Sequence, residues 1–266
     1  MEIYTGIWIS AVAVWLYMTL MFVLAVRFRD NSIADSAWGI GFITVALVTL
    51  IITGDFIARQ ILVTSLVLIW GLRLAVRIFI RNWGKGEDYR YQQWRQQWGR
   101  HFLIRSYLQV FMLQGLMLLF IVYPVVIINT RGGDELTWLD FLGAVIWAMG
   151  FMFESVGDYQ LDRFVNSPAN RGKIMDRGLW HYSRHPNYFG EVTQWWGIFF
   201  IALSVPWGWT GIVGPLTITL LIVKVSGIPL LEKKMAENPA FVEYQKRTSA
   251  LIPWFPRKPH TLKKEA

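Results

Sequence analysis

A series of apolar runs, each long enough to cross a bilayer, constrains this chain more than any other feature. A transmembrane helix needs about 20 consecutive apolar residues. Of the 266 residues, 54% are hydrophobic and 15 are tryptophans, whereas a soluble domain usually carries more charge. The hydropathy pattern predicts seven spans, near residues 5–26, 36–53, 60–80, 107–129, 137–157, 188–207 and 210–229. We therefore expect an all-α, polytopic membrane helical bundle that forms one domain over residues 1–266.

Basic residues alternate between the predicted loops. Most arginines and lysines follow spans one, three, five and seven, whereas the opposite loops hold only Arg59 and Arg131. Because cytoplasmic loops are enriched in Lys and Arg, the N-terminus is expected outside and the C-terminus in the cytoplasm. The first span lacks a basic leader and a cleavage site, which predicts a retained helix. Two cytoplasmic loops, 81–106 and 158–187, are long for a helical bundle.

Composition also limits the classes of partner. The net charge of +8 follows from this topology and suits anionic lipid headgroups. No soluble basic module is present, so nucleic acid is not an expected partner. The absence of cysteine excludes disulfides and thiolate catalysis, and the four scattered histidines lack the spacing of a metal site. Membrane lipids are the partners expected at this stage, and no metal is expected.

The densest polar chemistry lies in "RGLWHYSRHPNYFGEVTQWW", residues 177–196. Pro186 is predicted in the first turn of the sixth span, with Ser183 as a helix cap. Helical spacing then places one polar face inward, made of Asn187, Gly190, Glu191 and Gln194. Such a face within a membrane must meet a partner helix, a cavity or water. Two interpretations follow: a hydrogen-bond network between helices, or the wall of a ligand pocket whose helix N-terminus receives an anion.

A basic stripe at the end of the third span offers a second candidate site. Arg73, Arg77 and Arg81 recur every four residues and therefore share a face. They could pair with acidic residues of the same spacing at the end of span five, namely Glu154, Asp158 and Asp162. Alternatively, their guanidinium groups could bind a phosphate.

Two further candidate sites each have two interpretations. Asp35, in "DNSIADSAWGIGF", could cap the second helix or serve as a buried acid that donates a proton. In the segment after span seven, Glu232, Tyr244 and Arg247 could lie on a solvated surface helix or contribute to the same pocket.

These residues carry a family resemblance. "GLWHYSRHPNYFGEVTQWWG", with the later "LEKKM…FVEYQKRTSALIPWFP", resembles the C-terminal domain of the steroid 5-alpha-reductase family, and more closely its bacterial branch of unassigned substrate. The similarity extends upstream through "SPANRGKIMDRG", "WGLRL…GEDYRY" and "DNSIADSAWG". "RHPxYxG", a following Glu and "FxxYxxxxxxxIP" also mark isoprenylcysteine carboxyl methyltransferases and phospholipid methyltransferases. The form "PNYFGE" favours the reductase family.

The resemblance implies a seven-helix enzyme that binds NADPH from the cytoplasm and reduces a carbon–carbon double bond conjugated to a carbonyl in a hydrophobic substrate. The alternative that it implies is methyl transfer from S-adenosylmethionine. The cofactor half would be residues 137–266, in a bacterial inner membrane protein. The residues expected to bind the cofactor are Asn170, Arg171, Lys173, Tyr182, Arg184, His185, Asn187, Tyr188, Glu191, Glu232, Tyr244 and Arg247, with Arg77, Arg81 and Asn82 at its phosphates.

The catalytic pattern of the family is only partly matched. Its steroid enzymes polarise the substrate carbonyl with a Gln-Glu pair on helix two and a Tyr on helix three. Here the first region reads "IADSAWG", so Asp35 replaces the glutamate, and Glu191 is the second catalytic candidate. No tyrosine occurs in "LVLIWGLRLAVRIFI", so the Tyr role is unfilled and a steroid substrate is not implied.

Overall fold

The computed structural model describes residues 2–133 and 135–257. Regular structure in these ranges is helical, and a single isolated backbone bridge joins Ser183 to Ser249. The α-helices, in chain order, are α1 Ile3–Phe28, α2 Ile33–Thr53, α3 Ala58–Asn82, α4 Tyr89–Trp98, α5 Phe102–Arg105, α6 Leu113–Arg131, α7 Trp138–Val165, α8 Leu179–Tyr182, α9 Pro186–Ala202, α10 Val213–Leu220, α11 Ile228–Met235 and α12 Pro239–Arg247.

Six helical stretches of the described chain are long and apolar enough to cross a membrane. They are Ile3–Phe28, Ile33–Thr53, Ala58–Asn82, Tyr89–Arg131, Trp138–Val165 and Gly208–Met235. The predicted spans one to five and seven overlap these stretches, which confirms an all-helical integral membrane protein. The predicted sixth span corresponds to α9, whose 17 residues fall below the roughly 20 that a straight crossing needs.

The first long loop is more ordered than its composition indicates. Residues 81–106 contain α4, whose N-terminus is capped by the Asp88 side chain as it accepts a hydrogen bond from the Arg90 backbone N–H at 2.9 Å. Tyr91, Trp94 and Trp98 recur at helical spacing, and the last two rings stack 5.2 Å apart. A π-helical turn, Ser106–Met112, then leads into α6. The aromatic stripe thus makes this segment an amphipathic helix.

The chain forms two compact units. The first comprises the residues up to Ala144 together with Ile198–Thr217, and the second comprises Val145–Gly197 and the chain from Ile218 onward. The predicted cofactor half, residues 137–266, therefore overlaps mainly the second unit.

Within the first unit, α2 and α3 approach so closely that no side chain fits between them. A Cβ atom on Gly39 would lie 2.5 Å from the carbonyl oxygen of Gly71, and one on Gly71 would lie 2.8 Å from that of Gly39. Lipid tails are as apolar as the helices, so membrane helices associate through such close backbone contacts between small residues.

A buried ion pair also stabilises the first unit. The Arg59 guanidinium binds Asp140 through Nε–H to Oδ1 at 2.7 Å and Nη2–H to Oδ2 at 2.9 Å. Both side chains are at most 2% exposed. The same guanidinium donates to the carbonyl oxygens of Gly133 and Glu135, so it fastens the α6–α7 connection to α3.

In the second unit, α7 and α9 meet through another pair of glycines. A Cβ on Gly150 would lie 2.6 Å from the Gly190 carbonyl oxygen, and one on Gly190 would lie 2.5 Å from that of Gly150. The predicted start of this helix is confirmed, since α9 begins at Pro186. The Ser183 hydroxyl accepts a hydrogen bond from the His185 N–H at 3.1 Å, just before the first turn.

Replacing Gly71 with alanine tests the α2–α3 contact. The new methyl group would overlap backbone atoms of α2, and we expect a loss of about 1–3 kcal/mol, typical of overpacking. The measurement is thermal unfolding of the detergent-solubilised protein. Gly86→Ala is the matched control, because a Cβ there meets nothing within 4 Å. Equal unfolding temperatures for both variants would contradict the packing explanation.

Candidate functional site

Arg184, immediately before α9, joins three segments of the second unit. Its Nε–H donates to Glu232 Oε1 on α11 at 2.8 Å. Its Nη1 donates to the carbonyl oxygens of Gln245, at 3.2 Å, and of Thr248. The guanidinium therefore fastens α11 and the end of α12 to the start of α9.

Glu232 also accepts hydrogen bonds from other side chains. We call Arg184, His185, Glu232 and Gln245 the Arg184 node. Glu232 Oε1 lies 3.1 Å from His185 Nε2, and its Oε2 accepts from Gln245 Nε2 at 2.9 Å. The His185 ring stacks on that of Tyr188, with centroids 5.5 Å apart. Since three side chains already contact this carboxylate, it serves as a structural counter-charge within the unit.

Tyr244 and Arg247, both on α12, are also bound within the second unit. The buried Tyr244 hydroxyl donates to the Trp180 carbonyl oxygen. Burial raises the pKa of the Tyr244 phenol, so it stays protonated as a donor at neutral pH. Arg247 Nη2 lies 2.5 Å from Asp176 Oδ2. The structure thus brings Arg184, His185, Glu232, Tyr244 and Arg247 into one region, where contacts to other residues of the chain already engage them.

The polar face of α9 packs on α7. Asn187 Nδ2 donates to Asp158 Oδ1 at 3.1 Å, and Gln194 Nε2 donates to Glu154 Oε2 at 2.5 Å. These contacts match the helix–helix interpretation. Asn187 Oδ1 and Gln194 Oε1 are buried without a hydrogen-bond partner among the described residues, which leaves two acceptors for a donor group from water or a ligand.

The other predicted cofactor residues of this unit lie in the α7–α9 connection or on α9. Asn170 donates from Nδ2 to the Phe164 carbonyl oxygen at 3.1 Å. Arg171 and Lys173 are exposed, and Tyr182 is 41% exposed. Glu191, one turn after Asn187, is half-buried. Among these residues, the two exposed cations are the best placed to bind a phosphate from solution.

The first unit contains the predicted phosphate-binding residues Arg77, Arg81 and Asn82 at the end of α3. Asn82 lines a pocket of about 240 Å³ between the start of α2 and the end of α3. The other lining residues are Asp30, Ser32, Ile33, Ser36, Phe79, Trp83, Gly84 and Lys85. The pocket is small and mixed in polarity.

Asp35 belongs to a side-chain cluster in the first unit. Its Oδ1 accepts the Tyr91 hydroxyl hydrogen at 2.8 Å, and its Oδ2 accepts from Arg90 Nη2 at 2.8 Å. The Gln114 side chain lies beside the Tyr91 hydroxyl, and Gln114 Oε1 is buried without a hydrogen-bond partner among the described residues. Tyr91 is only 2% exposed. Asp35 therefore links α4 to the first turn of α2. This contact is a different role from capping its own helix.

The predictions from the sequence did not include Tyr91 or Gln114 among the site residues. Tyr91 lies in the segment "GEDYRY", which carries part of the family resemblance but was assigned to a loop. Gln114 is a polar residue in an otherwise apolar span, and such residues commonly mark functional sites. Either signal could have directed attention to them, but only the fold shows that Tyr91 contacts Asp35 and that Gln114 lies beside Tyr91.

Exchanging Arg184 for lysine tests the node. Lysine keeps the charge but lacks the fork that reaches Glu232 and two carbonyl groups together. We expect a loss of about 2 kcal/mol in unfolding free energy, since buried acceptors lose their donor. The exposed Arg177, changed to lysine in the same way, is the control. Thermal unfolding without added ligand provides the measurement, and a wild-type unfolding temperature for Arg184→Lys would show that the node is not structural.

Comparison with known proteins places the chain in a family. No curated protein and no solved structure matches it. Residues 21–248 match the family described as protein of unknown function (DUF1295), and this range includes Asp35, Tyr91 and the Arg184 node. Because the match extends over most of the chain, this protein belongs to the DUF1295 family.

Proposed function

We propose that this protein is a membrane-embedded, NADPH-dependent reductase of a carbon–carbon double bond conjugated to a carbonyl in a hydrophobic, steroid- or lipid-like substrate. The observation that carries the proposal is the Asp35–Tyr91–Gln114 cluster of the first unit. A buried phenol between a carboxylate and an amide is the kind of group that polarises a carbonyl oxygen. The family resemblance supplies the rest of the chemistry.

The ion pair with Arg90 defines the roles within the cluster. Because Arg90 Nη2 lies 2.8 Å from Asp35 Oδ2, Asp35 acts as a carboxylate that orients the Tyr91 hydroxyl. Tyr91 is then the hydrogen-bond donor to the substrate carbonyl, once its hydroxyl turns from Asp35 to that oxygen. The developing negative charge on the oxygen would be stabilised in a site from which water is excluded.

NADPH, when bound, supplies a hydride to the β carbon of the enone. The residues of the second unit that would hold it include the exposed Arg171 and Lys173. Their guanidinium and ammonium groups suit phosphates. The partnerless acceptors Asn187 Oδ1 and Gln194 Oε1 suit a donor such as an amide N–H. The remaining residues would act indirectly, because their contacts stabilise the second unit around the cofactor. They are Arg184, His185, Glu232, Tyr244 and Arg247.

The proposal includes a topology. With α9 as the seventh crossing, the N-terminus is outside and the C-terminus cytoplasmic, in a bacterial inner membrane. The cofactor would then enter from the cytoplasm and the substrate from the bilayer. The basic loops after predicted spans one, three and five support this orientation.

An S-adenosylmethionine-dependent methyltransferase of isoprenylcysteine or phospholipid type is the second candidate. The observation that supports it is the Arg184–His185–Glu232–Tyr244 network, because the pattern that both families share is equally compatible with this function. The contacts of these residues hold the unit together in either case. The two functions therefore differ in the need for a proton donor, which is Tyr91 oriented by Asp35.

Cofactor titration separates the two functions directly. We expect the purified protein in lipid nanodiscs to bind NADPH, measured by its fluorescence and by isothermal titration, more tightly than S-adenosylmethionine. Lys173→Ala should weaken NADPH binding if Lys173 contacts a phosphate, whereas exposed Lys233→Ala is the control. Tight binding of S-adenosylmethionine alone would refute the reductase.

Substitution of Tyr91 by phenylalanine tests the proton donor. Loss of a general acid typically lowers the rate by about 10²–10⁴-fold, and we expect NADPH oxidation with a panel of steroidal and isoprenoid enones to fall accordingly. The Kd for NADPH should stay within about twofold. Tyr89→Phe on the same helix is the matched control, and Asp35→Asn should reduce turnover as well. Unchanged turnover in Tyr91→Phe and Asp35→Asn would exclude this cluster from the chemistry.

A further inference from the structure

The segment that follows α12 is held in a defined position by backbone hydrogen bonds within the second unit. Arg184 N–H donates to the Ser249 carbonyl oxygen at 2.8 Å, and Trp254 N–H donates to that of Tyr182 at 2.9 Å. The Ser183 hydroxyl donates to the Leu251 carbonyl oxygen at 2.7 Å. Residues 249–254 therefore lie beside residues 182–184.

This ordered segment exposes large apolar side chains. Ile252, Trp254 and Phe255 are 64%, 70% and 77% exposed. The Phe255 ring lies edge-on to that of Tyr182, with centroids 6.0 Å apart. We call Tyr182, Ile252, Trp254 and Phe255 the aromatic edge. It lies outside the six stretches that could cross the membrane, so the lipid core does not account for its exposure, and a fixed exposed apolar patch indicates a binding surface.

The neighbouring contacts place the aromatic edge near the end of a membrane helix. Trp180 Nε1–H donates to the Gly157 carbonyl oxygen at 3.0 Å, close to the C-terminal end of α7, which is one of the six spanning stretches. Tyr182 follows two residues later and α9 begins at Pro186. The aromatic edge is therefore attached where apolar helix gives way to polar chain, and Trp and Tyr concentrate at such interfaces.

The charge beside the aromatic edge is positive. Arg257 lies two residues after Phe255, and its N–H donates to the Arg247 carbonyl oxygen at 2.9 Å. In the sequence, Lys258, Lys263 and Lys264 come next, beyond the described residues. Basic residues near a membrane surface are attracted to anionic headgroups. The pairing of aromatic side chains with a basic segment matches the chemistry of an anionic lipid surface.

We propose that the aromatic edge inserts into the headgroup region of an anionic phospholipid leaflet and anchors the segment after α12 to the membrane surface. Trp254 and Phe255 contact the glycerol and upper acyl region, and Arg257 contacts phosphates. Because the same segment is hydrogen-bonded to residues 182–184, this anchoring also positions the start of α9. The proposal does not depend on the enzymatic activity.

A single-cysteine probe tests the anchor, since the chain has no cysteine of its own. Trp254→Cys, labelled with the fluorophore NBD, is reconstituted into phosphatidylcholine vesicles with and without phosphatidylglycerol. Glu237→Cys, in the exposed turn between α11 and α12, is the matched control. We expect nitroxide-labelled lipid to quench the probe at position 254 several-fold more than at 237, and phosphatidylglycerol to increase the difference.

Three outcomes would overturn the proposal. Equal lipid quenching at both positions, with iodide in water quenching both, would place the aromatic edge in solvent. Disulfide-linked dimers of unlabelled Trp254→Cys in vesicles would assign the aromatic edge to a second copy of the chain. Quenching by neither reagent would assign it to a protein contact. If Trp254→Cys does not fold, Phe255→Cys offers the same test, because its side chain is even more exposed.

Discussion

Within a bilayer, a polar side chain has almost no water to bind, so its partner has to come from the protein. Several of the buried polar groups described above follow this constraint. Arg59 and Asp140 form a two-pronged ion pair, and the amides of Asn187 and Gln194 bind acidic side chains of α7. These contacts accompany the glycine pairs that bring α2 to α3 and α7 to α9. Close backbone packing and internal polar pairing together hold each unit.

The contacts of the Arg184 node indicate a structural role for the motif that resembles two enzyme families. In this structure the arginine, the histidine and the distal glutamate and tyrosine bind one another or nearby backbone carbonyls. Such residues can be required for any activity of the unit without touching a ligand. The motif therefore indicates the architecture of the second unit, and it does not by itself distinguish a reductase from a methyltransferase.

In the proposed function, the chemistry that distinguishes a reductase from a methyltransferase lies in the first unit. Helix α4, in a segment predicted as a loop, supplies both the arginine and the tyrosine that contact Asp35. In the proposed reductase, Tyr91 would take the place of the tyrosine that is missing from the third span, although it comes from a different element. Gln114, from α6, adds an amide at the same point. Three separate elements, α2, α4 and α6, thus contribute to the proposed carbonyl-binding cluster.

The sequence by itself determined the membrane character, the helical class and the positions of most spans, because hydropathy and length act locally along the chain. It also determined the start of α9, since proline is compatible with the first helical turn. Tertiary structure alone decided which residues meet. Asn187 could equally have lined a cavity, and Glu232 could have been solvated, because spacing along one helix does not specify the helix opposite. Packing against α7 and α11 selected between those alternatives. In the first unit, the packing of α2, α4 and α6 brought Tyr91 to Asp35 and Gln114 to Tyr91.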